Sequence, residues 1–375
     1  MELTLSKEEL GKIVSDVSRA VPVKSVDPIL GYVYLSIGDD GSYKAMGSNG
    51  NLSIVEEGKL KEDASGIKGG TILLYPQAIN AILSKLGNLV SLSTSSNGEL
   101  TITDNNARFT LKMVDANEYP NVYGGIDVPT LSFALSSEVY SKLYDSTAFA
   151  AAKNSYKKAF EGIQVKTSSD GYLSFTATDA MKLAFQSAHV DGKLLDASIV
   201  VPVESLKAVY DLASGAKNIS FVSDSQHAVV SFGETKVISR LYNGGFPDAS
   251  RILPKERNID AKFSTKSLLD ALNTISALPS GSSAVSLVTI DGTGKLSSTS
   301  LFGSATQTVP IDNVGTAKQF SLTLDAEFLK GFLKATLSDS VSLVSEGEGK
   351  IVQVDGFGYD PSHAIGVVAP IRKNQ

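Results

Sequence analysis

Residues that could perform chemistry are few in this chain, and their spacing matches no familiar catalytic pattern. The sequence has no cysteine and only three histidines, His189, His227 and His363, which lie far apart along the chain. Thiolate nucleophiles, disulfides and cysteine-based metal sites are therefore excluded, and a histidine-rich metal site is nearly excluded. We expect no resident metal and no cofactor.

The remaining candidates for catalysis are two Gly-Lys pairs and one aspartate. Gly294-Lys295 and Gly349-Lys350 both lack the earlier glycine and the following Ser or Thr of a phosphate-binding loop. Asp179 could act as an acid catalyst, but its position at the end of a predicted strand favours a turn or cap role. We predict no catalytic residue. An enzyme with an unrecognised carboxylate site remains an alternative, which an alanine substitution at Asp179 would test.

A strand-to-helix pattern recurs six times, and these elements must position any binding residue. Each copy has a short apolar strand, a residue suited to capping a helix, and apolar residues at helical spacing. The cap position recurs every 61 to 69 residues, at Ser6, Tyr75, Ser136, Pro202, Ser264 and Asp325. Apolar residues stand four, seven and eight positions beyond each cap, which predicts one buried face per helix.

The segments between the predicted helices are typical of β-hairpins. Apolar and polar residues alternate, for example over Leu89 to Thr94, Leu100 to Thr103 and Arg108 to Met113, with Gly, Asn and Asp between the runs. Each copy is therefore one helix plus roughly four strands, and the fold class is α+β. Pairing of copies would cover open sheet edges, which predicts three tandem domains over residues 1–127, 128–254 and 255–375.

The polar faces of the helices carry lysines, although the chain has a net charge of −6. They are Lys12, Lys142, Lys207, Lys330 and Lys334, with Lys85 close to the same face. These lysines are either the ordinary solvent face of each helix or, if the helices lie side by side, a surface that holds phosphates without reading bases. The spacing leaves both interpretations open.

Several longer stretches resemble the β sliding clamp family, the β subunit of bacterial DNA polymerase III. The stretch from Ala177 to Ala184 resembles the family segment A-T-D-x-x-R-L-A. The stretch from Gly245 to Pro254 resembles G-x-F-P-x-x-x-R-[VI]-[LI]-P, and the ending from Val367 to Arg372 resembles V-x-x-P-[MIV]-R. Asp27 to Gly31 resembles L-P-I-L-x. These stretches follow one another in the order and at the distances found in the family, and the resemblance covers the whole chain.

The resemblance implies three clamp-type domains, each of two sheet-plus-helix half-repeats, in a head-to-tail dimeric ring. The implied dimer interface includes Phe109, Leu111 and Leu278, for which core packing is the alternative role. The implied peptide-binding cleft comprises Phe160, Thr178, Met181, Lys182, Leu183, Pro247, Arg251, Ile252, Phe328, Val367, Ala369, Pro370, Ile371 and Arg372. By the resemblance, Lys24, Lys153, Lys157 and Lys158 match positions that are basic or polar in the family and are expected to contact DNA. The helix-face lysines are expected to contact DNA as well, because the family's helices line the hole of the ring: Lys12, Lys85, Lys142, Lys207, Lys330 and Lys334.

Some positions depart from the family pattern. Lys182 replaces an Arg and so loses a planar forked donor while keeping the charge. Ala369 is small where the family is bulky, which predicts a shallower or differently selective pocket. The stretch from Met46 to Gly50 differs from the family's T-x-x-D type, and the loop from Pro279 to Ser283 lacks cations. These departures suggest a divergent clamp.

The predicted function is a processivity factor without catalysis of its own. It would encircle duplex DNA independently of sequence and bind the polymerase III catalytic subunit, a clamp loader and other proteins with a clamp-binding motif. No apolar run approaches the length of about 18 residues that spans a membrane, so we expect a cytoplasmic, nucleoid-associated protein with no membrane partner. The alternative is a peptide-binding repeat scaffold that does not encircle DNA.

Overall fold

The computed structural model describes residues 1–121, 126, 128–192, 194–279, 283–290, 292–313, 315–317 and 319–371. The predicted domain limit Asp127 and the predicted cleft residue Arg372 lie outside the described residues. None of the helices in these ranges is long and apolar enough to cross a membrane. The described residues form six α-helices: α1 (Lys7–Ser18), α2 (Pro76–Leu83), α3 (Ser137–Thr147), α4 (Val203–Leu212), α5 (Thr265–Ile275) and α6 (Ala326–Lys334).

Most of the remaining described chain is β-structure, as the alternating pattern predicts. The strands in the first half of the chain are β1 (Glu2–Ser6), β2 (Val33–Ile37), β3 (Ser42–Ser48), β4 (Leu52–Lys59), β5 (Ser65–Lys68), β6 (Gly70–Leu74), β7 (Leu89–Thr94), β8 (Glu99–Thr103), β9 (Arg108–Lys112), β10 (Leu131–Leu135), β11 (Gly162–Thr167), β12 (Tyr172–Thr178) and β13 (Lys182–His189). Those in the second half are β14 (Ala197–Pro202), β15 (Ile219–Ser223), β16 (His227–Phe232), β17 (Thr235–Arg240), β18 (Ile259–Ser264), β19 (Ala284–Ile290), β20 (Thr293–Ser300), β21 (Gly303–Pro310), β22 (Asp312–Asn313), β23 (Ser321–Asp325), β24 (Ser340–Ser345), β25 (Val352–Asp355) and β26 (Ala364–Val368). The α+β class is confirmed.

The predicted cap positions begin the helices. The side chains of Ser6, Ser264 and Asp325 each accept a backbone N–H two or three residues later, which satisfies donors that a helix start leaves open. Tyr75 makes no such bond, and α2 instead begins with Pro76, whose fixed φ suits the first helical position. The cap prediction is confirmed at these four positions.

The predicted apolar face of each helix is buried. The residue four positions beyond each cap is at most 3% exposed, at Leu10, Ile79, Tyr140, Leu206, Leu268 and Leu329. The residues seven and eight positions beyond the caps are buried as well, except Tyr210, which is half-buried. Burial of this face against a sheet supplies most of the stability of helices as short as these.

One compact unit comprises residues 1–137 and 204–241 and contains two antiparallel sheets. Sheet A has the strand order β5-β1-β7-β8-β9, and sheet B has the order β10-β15-β16-β17-β4-β3-β2-β6. In sheet B, β17 pairs with β4, and Val237 stands opposite Ile54. Strands from both sides of the predicted limit at Asp127 thus belong to one sheet. Pairing between distant repeats leaves no local pattern in the sequence, so this joining was not predicted.

The second compact unit comprises residues 138–203 and 242–375. Sheet C has the order β14-β11-β12-β13-β26-β25-β24-β18-β22, and sheet D has the order β21-β20-β19-β23. In sheet C, β13 pairs with β26, and Leu183 stands opposite Val367. This pairing brings the last described segment of the chain beside the hairpin that carries Asp179.

Candidate functional site

A surface cleft of about 300 Å3 lies in the second unit, where β13, β26 and the 247–252 segment meet. Nine of the predicted cleft residues line it: Phe160, Thr178, Met181, Lys182, Leu183, Pro247, Ile252, Val367 and Ala369. These residues come from segments that are remote in sequence, and the structure brings them around one cavity. The lining is mainly apolar, as a site for a short peptide requires.

The turn between β12 and β13 shapes one wall of the cleft. The Asp179 Oδ1 atom accepts the backbone N–H groups of Met181 and Lys182 at 2.9 and 2.8 Å. The Ala180 N–H donates to Thr178 Oγ1 at 3.1 Å, and Ala180 has a φ of +75°, in the left-handed region. Asp179 therefore acts as a turn residue, which is the role that the sequence favours.

Lys182 contributes a covered charge to the cleft. Its Nζ atom bonds to the Asp179 carboxylate and lies 4.1 Å from the ring centroid of Phe328. The side chain of Lys182 is only 9% exposed. Because the carboxylate and the ring face both compensate the ammonium, Lys182 offers a bound peptide chiefly its alkyl stem. Phe328 does not line the cleft itself and instead contacts Lys182.

The segment before β11 gives the cleft an aromatic and cationic rim. The Nζ atom of Lys157 lies 5.2 Å from the centroid of the Phe160 ring and 5.9 Å from that of Tyr156. The rings of Phe160 and Phe246 meet edge to face, with centroids 5.7 Å apart. Tyr156 is 89% exposed beside the cavity that it lines. An apolar floor with a cationic rim fits a peptide that combines an apolar anchor with a nearby carboxylate.

Three further predicted cleft residues lie outside the lining. Arg251 is exposed, and its guanidinium pairs with Asp248 at 3.1 Å. Pro370 and Ile371 are half-buried, and the Ile371 N–H donates to the Thr323 carbonyl at 2.8 Å. These contacts fix the course of the chain after β26 without placing the side chains in the cavity.

Four lining residues were missing from the predicted cleft: Tyr156, Lys157, Ala180 and Ile351. Lys157 was predicted for DNA alone, and Ala180 lies inside the stretch that carried the family resemblance. Tyr156 adjoins the lysine run just before Phe160, which is a usable signal. Ile351 follows β24, and no spacing in the sequence connects it with the other lining residues.

Most of the predicted DNA-contacting lysines are accessible. Lys12, Lys24, Lys85, Lys153, Lys157, Lys158, Lys207 and Lys334 are exposed, and Lys142 is half-buried. Four of them pair with a nearby carboxylate: Lys12 with Asp16, Lys142 with Glu138, Lys158 with Glu161 and Lys207 with Asp211, at 2.6 to 2.8 Å. Exposed pairs of this kind contribute at most about 1 kcal/mol, so a phosphate can replace the carboxylate.

Lys330 differs from the other lysines. It is 7% exposed, and its Nζ atom bonds to the Glu327 carboxylate and to Ser276 Oγ, the latter at 3.1 Å. Ser276 follows α5, which packs against α6, so the side chain lies between the middle of α6 and the end of α5. The prediction that Lys330 lies on a solvent face of its helix is wrong.

The predicted interface residues Phe109 and Leu111 lie at the edge of sheet A. Among the described strands, β9 pairs only with β8, and Phe109 stands opposite Ile102 while Leu111 stands opposite Leu100. Ile102 and Leu100 are buried, whereas Phe109 and Leu111 are half-buried. The apolar face of the sheet therefore continues to an edge where it is incompletely covered. Leu278, just beyond α5, is also half-buried.

Two of the three histidines contact the same tyrosine although they are distant in sequence. The rings of His189 and His363 both contact Tyr172, with centroid distances of 5.7 and 5.4 Å. His363 Nδ1 also bonds to Asp360 Oδ2 at 2.9 Å. In the described ranges, no group of three or more His, Asp or Glu side chains is arranged to hold a metal ion. The described residues thus form a repeat-built α+β protein with a mainly apolar surface cleft of about 300 Å3 beside β13 and β26.

Comparison with known proteins identifies the family. The family model described as "DNA polymerase III beta subunit, N-terminal domain" matches residues 1–123. The family model described as "DNA polymerase III beta subunit, central domain" matches residues 134–248. The Beta sliding clamp of Synechocystis sp. is 23% identical over 401 residues, 99% of each chain. That of Bacillus subtilis is 27% identical over 292 residues, 74% of each chain.

Solved structures share the fold. The crystal structure of the DNA polymerase sliding clamp from Bacillus subtilis has a TM-score of 0.90 and 22% identity, covering 100% of both chains. The two matched domains together span more than half of the sequence. This chain belongs to the DNA polymerase III beta subunit family, the beta sliding clamps.

Proposed function

We propose that this chain is a DNA polymerase processivity factor, a non-catalytic clamp that encircles duplex DNA and tethers other proteins through its cleft. The observation that carries the proposal is the cavity of about 300 Å3, around which nine residues carried over from the family's peptide cleft converge. Their convergence from remote segments supports retention of the family's binding site despite the low sequence identity.

The mechanism is an increase in effective concentration. A polymerase that holds the clamp by a short peptide stays beside its template after each release of the primer end, so rebinding becomes intramolecular. The peptide needs only moderate affinity, because the ring rather than the peptide supplies retention on DNA. The apolar walls at Met181, Ile252 and Val367 would hold the peptide's apolar side chains.

Ring closure would use the edge of sheet A. A half-covered apolar pair at an edge strand, Phe109 and Leu111, is a liability in a monomer because unpaired edges attract other strands. A head-to-tail dimer would cover this pair against the region of Leu278 of a second chain. This contact joins two different surfaces of the chain. Such head-to-tail contacts form a closed ring only if the rotations between successive chains add up to a full turn, and otherwise they form an open filament.

The proposed DNA surface comprises the nine accessible lysines and excludes Lys330. Contacts between lysines and phosphates do not read sequence, so they permit sliding. A net charge of −6 is compatible with this role, since topology rather than affinity retains the clamp. We further propose that the three predicted domains form the ring and that an external loader opens it. The polymerase III catalytic subunit and other motif-bearing proteins would share the cleft, in the cytoplasm at the nucleoid.

Peptide binding tests the cleft directly. Fluorescence anisotropy with a labelled peptide of the Q-x-[LM]-x-[LF] type should show saturable binding to the wild-type chain. Met181→Ala should weaken it by about tenfold, which corresponds to roughly 1.4 kcal/mol of lost apolar contact. The matched control is Leu337→Ala, which removes another exposed apolar side chain of the same unit, outside the cleft. An equal effect of both substitutions, or no binding by the wild type, would contradict the cleft assignment.

A further inference from the structure

A second cavity, of about 350 Å3, adjoins the cleft, and we call it the flanking cavity. Its floor is one face of sheet C. Gln164, Thr176, Phe185 and Ile365 stand opposite one another on β11, β12, β13 and β26, and all four line the cavity. Residues directly opposite on neighbouring strands share a face, so these four form a continuous row across four strands. The row changes from polar at Gln164 to apolar at Ile365.

The flanking cavity meets the cleft at Pro247. Pro247 lines both cavities, and the segment from Phe246 to Ser250 borders the flanking cavity. The Phe246 ring packs against Phe160, which lines the cleft. An extended chain that is anchored in the cleft and passes over Pro247 would therefore reach the flanking cavity.

The charge available in the flanking cavity is positive. Lys166 lines it and is exposed, and among the described residues no carboxylate pairs with its ammonium. The Asp248 carboxylate on the opposite border is already occupied. It accepts the Ser250 N–H at 3.1 Å and the Ser250 hydroxyl at 2.7 Å, and it pairs with Arg251 at 3.1 Å. These hydrogen bonds hold the pKa of Asp248 below its usual value, so it stays ionised and bound to its neighbours.

We propose that the flanking cavity binds the segment next to a cleft-bound peptide and that Lys166 selects a carboxylate in that segment. The inference rests on the proposed peptide-binding function and adds to it a preference for partners with acidic flanks. An apolar residue of the same segment would cover Phe185 and Ile365. An extended peptide that lies over this partly polar, partly apolar row gains affinity from the apolar contact, and the ion pair with Lys166 fixes its orientation. The carboxylate can be a side chain or the free end of the partner chain.

Matched peptides separate these contributions. The core is the Q-x-[LM]-x-[LF] peptide, capped at both ends, and the extended peptides add Leu-Asp-Asp or Leu-Asn-Asn at either end. A further peptide with a free carboxyl terminus tests that second source of charge. On the wild-type clamp, the Asp or free-carboxylate form should bind about fivefold more tightly than its neutral match, the upper range for one partly exposed ion pair. The gain should shrink as salt is raised.

Variants assign the effect to one residue. Lys166→Gln should abolish the gain and leave the affinity of the core peptide unchanged, whereas the control Lys262→Gln, on β18 of the same sheet, should retain it. Equal binding of acidic and neutral extensions at both ends, or a gain that survives Lys166→Gln, would overturn the inference while the proposed function stands. Failure of the core peptide to bind would contradict the cleft assignment of the proposed function and overturn this inference with it.

Discussion

Ala180 and Gly50 occupy the same place in two hairpins that share one pattern of hydrogen bonds. Their φ values are +75° and +86°. The Ala180 N–H donates to Thr178 Oγ1 and the Gly50 N–H donates to Ser48 Oγ, both at 3.1 Å. The stretch from Met46 to Gly50 departs from the family pattern in sequence, yet it keeps this turn. The repeat is therefore preserved in backbone geometry where side-chain identity has changed.

The shared turn predicts opposite effects for exchanging the two residues. Ala180→Gly should raise the free energy of unfolding by up to about 1 kcal/mol. The left-handed conformation costs an L-residue about 1–2 kcal/mol, and glycine avoids this cost but loses more conformational entropy on folding, which offsets part of the gain. Gly50→Ala should lower it by about 1 kcal/mol. A Cβ added at Gly50 meets no atom within 4 Å, so the effect is confined to the backbone. Urea denaturation measures both changes, and a destabilising Ala180→Gly would refute the turn assignment.

The two lysines of α6 should behave differently. Lys330→Ala should lower the free energy of unfolding by about 1–3 kcal/mol, since it removes a buried stem and leaves the Ser276 and Glu327 groups without this partner. Lys334→Ala should leave stability within about 0.5 kcal/mol and weaken binding to duplex DNA at low salt. Denaturation curves and DNA titrations on both variants check this contrast. Weaker DNA binding by Lys330→Ala, with its stability unchanged, would contradict this contrast and show that Lys330 reaches DNA.

A buried carboxylate under α1 should make stability depend on pH. Burial raises the pKa of Glu56, against the opposing effects of the Tyr43 hydroxyl at 2.7 Å and of Lys12. The Glu56 carboxyl then binds a proton more readily in the folded chain than in the unfolded chain. Its contribution to the free energy of unfolding therefore falls as the pH rises from the unfolded pKa to above the folded pKa. Glu56→Gln should therefore be stabilising by about 1 kcal/mol at pH 8, with less gain near pH 4.

Glu57 provides a control of opposite sign for Glu56. Hydrogen bonds from Lys44 and Lys236 lower the pKa of Glu57 in the folded chain. Its favourable contribution is present above the unfolded pKa and is lost as pH falls through the folded value. Glu57→Gln should therefore cost stability at neutral pH and become neutral in acid. Thermal or urea unfolding at several pH values measures both variants, and parallel pH profiles for the two would contradict the burial argument.

The edge of sheet A should determine assembly. Phe109→Ala combined with Leu111→Ala removes the half-covered apolar pair, and the chain should dissociate to monomers at micromolar concentration. Thr110→Ala, on the other face of the same strand, should leave assembly unchanged. Light scattering coupled to gel filtration reports the mass of each variant. A double variant that stays dimeric would place the interface elsewhere.

Local patterns predicted the elements well because they are set by local physics. Helix faces follow from apolar residues such as Leu10 and Leu329, and helix starts follow from caps such as Ser6 and Asp325. Contacts between distant segments followed no such pattern. Lys330 occupies a polar offset of its helix, yet packing of α6 against α5 buries it.

The same distinction applies to the cleft. The residues from the Thr178 to Leu183 stretch and the 247–252 segment were predicted because short motifs mark them. Ile351 reaches the cavity only through the course of the chain between β24 and β25, which no motif encodes. The continuation of sheet B from β17 to β4 depends likewise on pairing across the molecule.

The solution mass of the unmodified chain tests the central claim most directly, because a ring of two chains requires a dimer. Sedimentation equilibrium at micromolar concentration should give twice the chain mass of 39.5 kDa. A stable monomer that still binds the peptide would contradict the ring and favour a peptide-binding scaffold that does not encircle DNA.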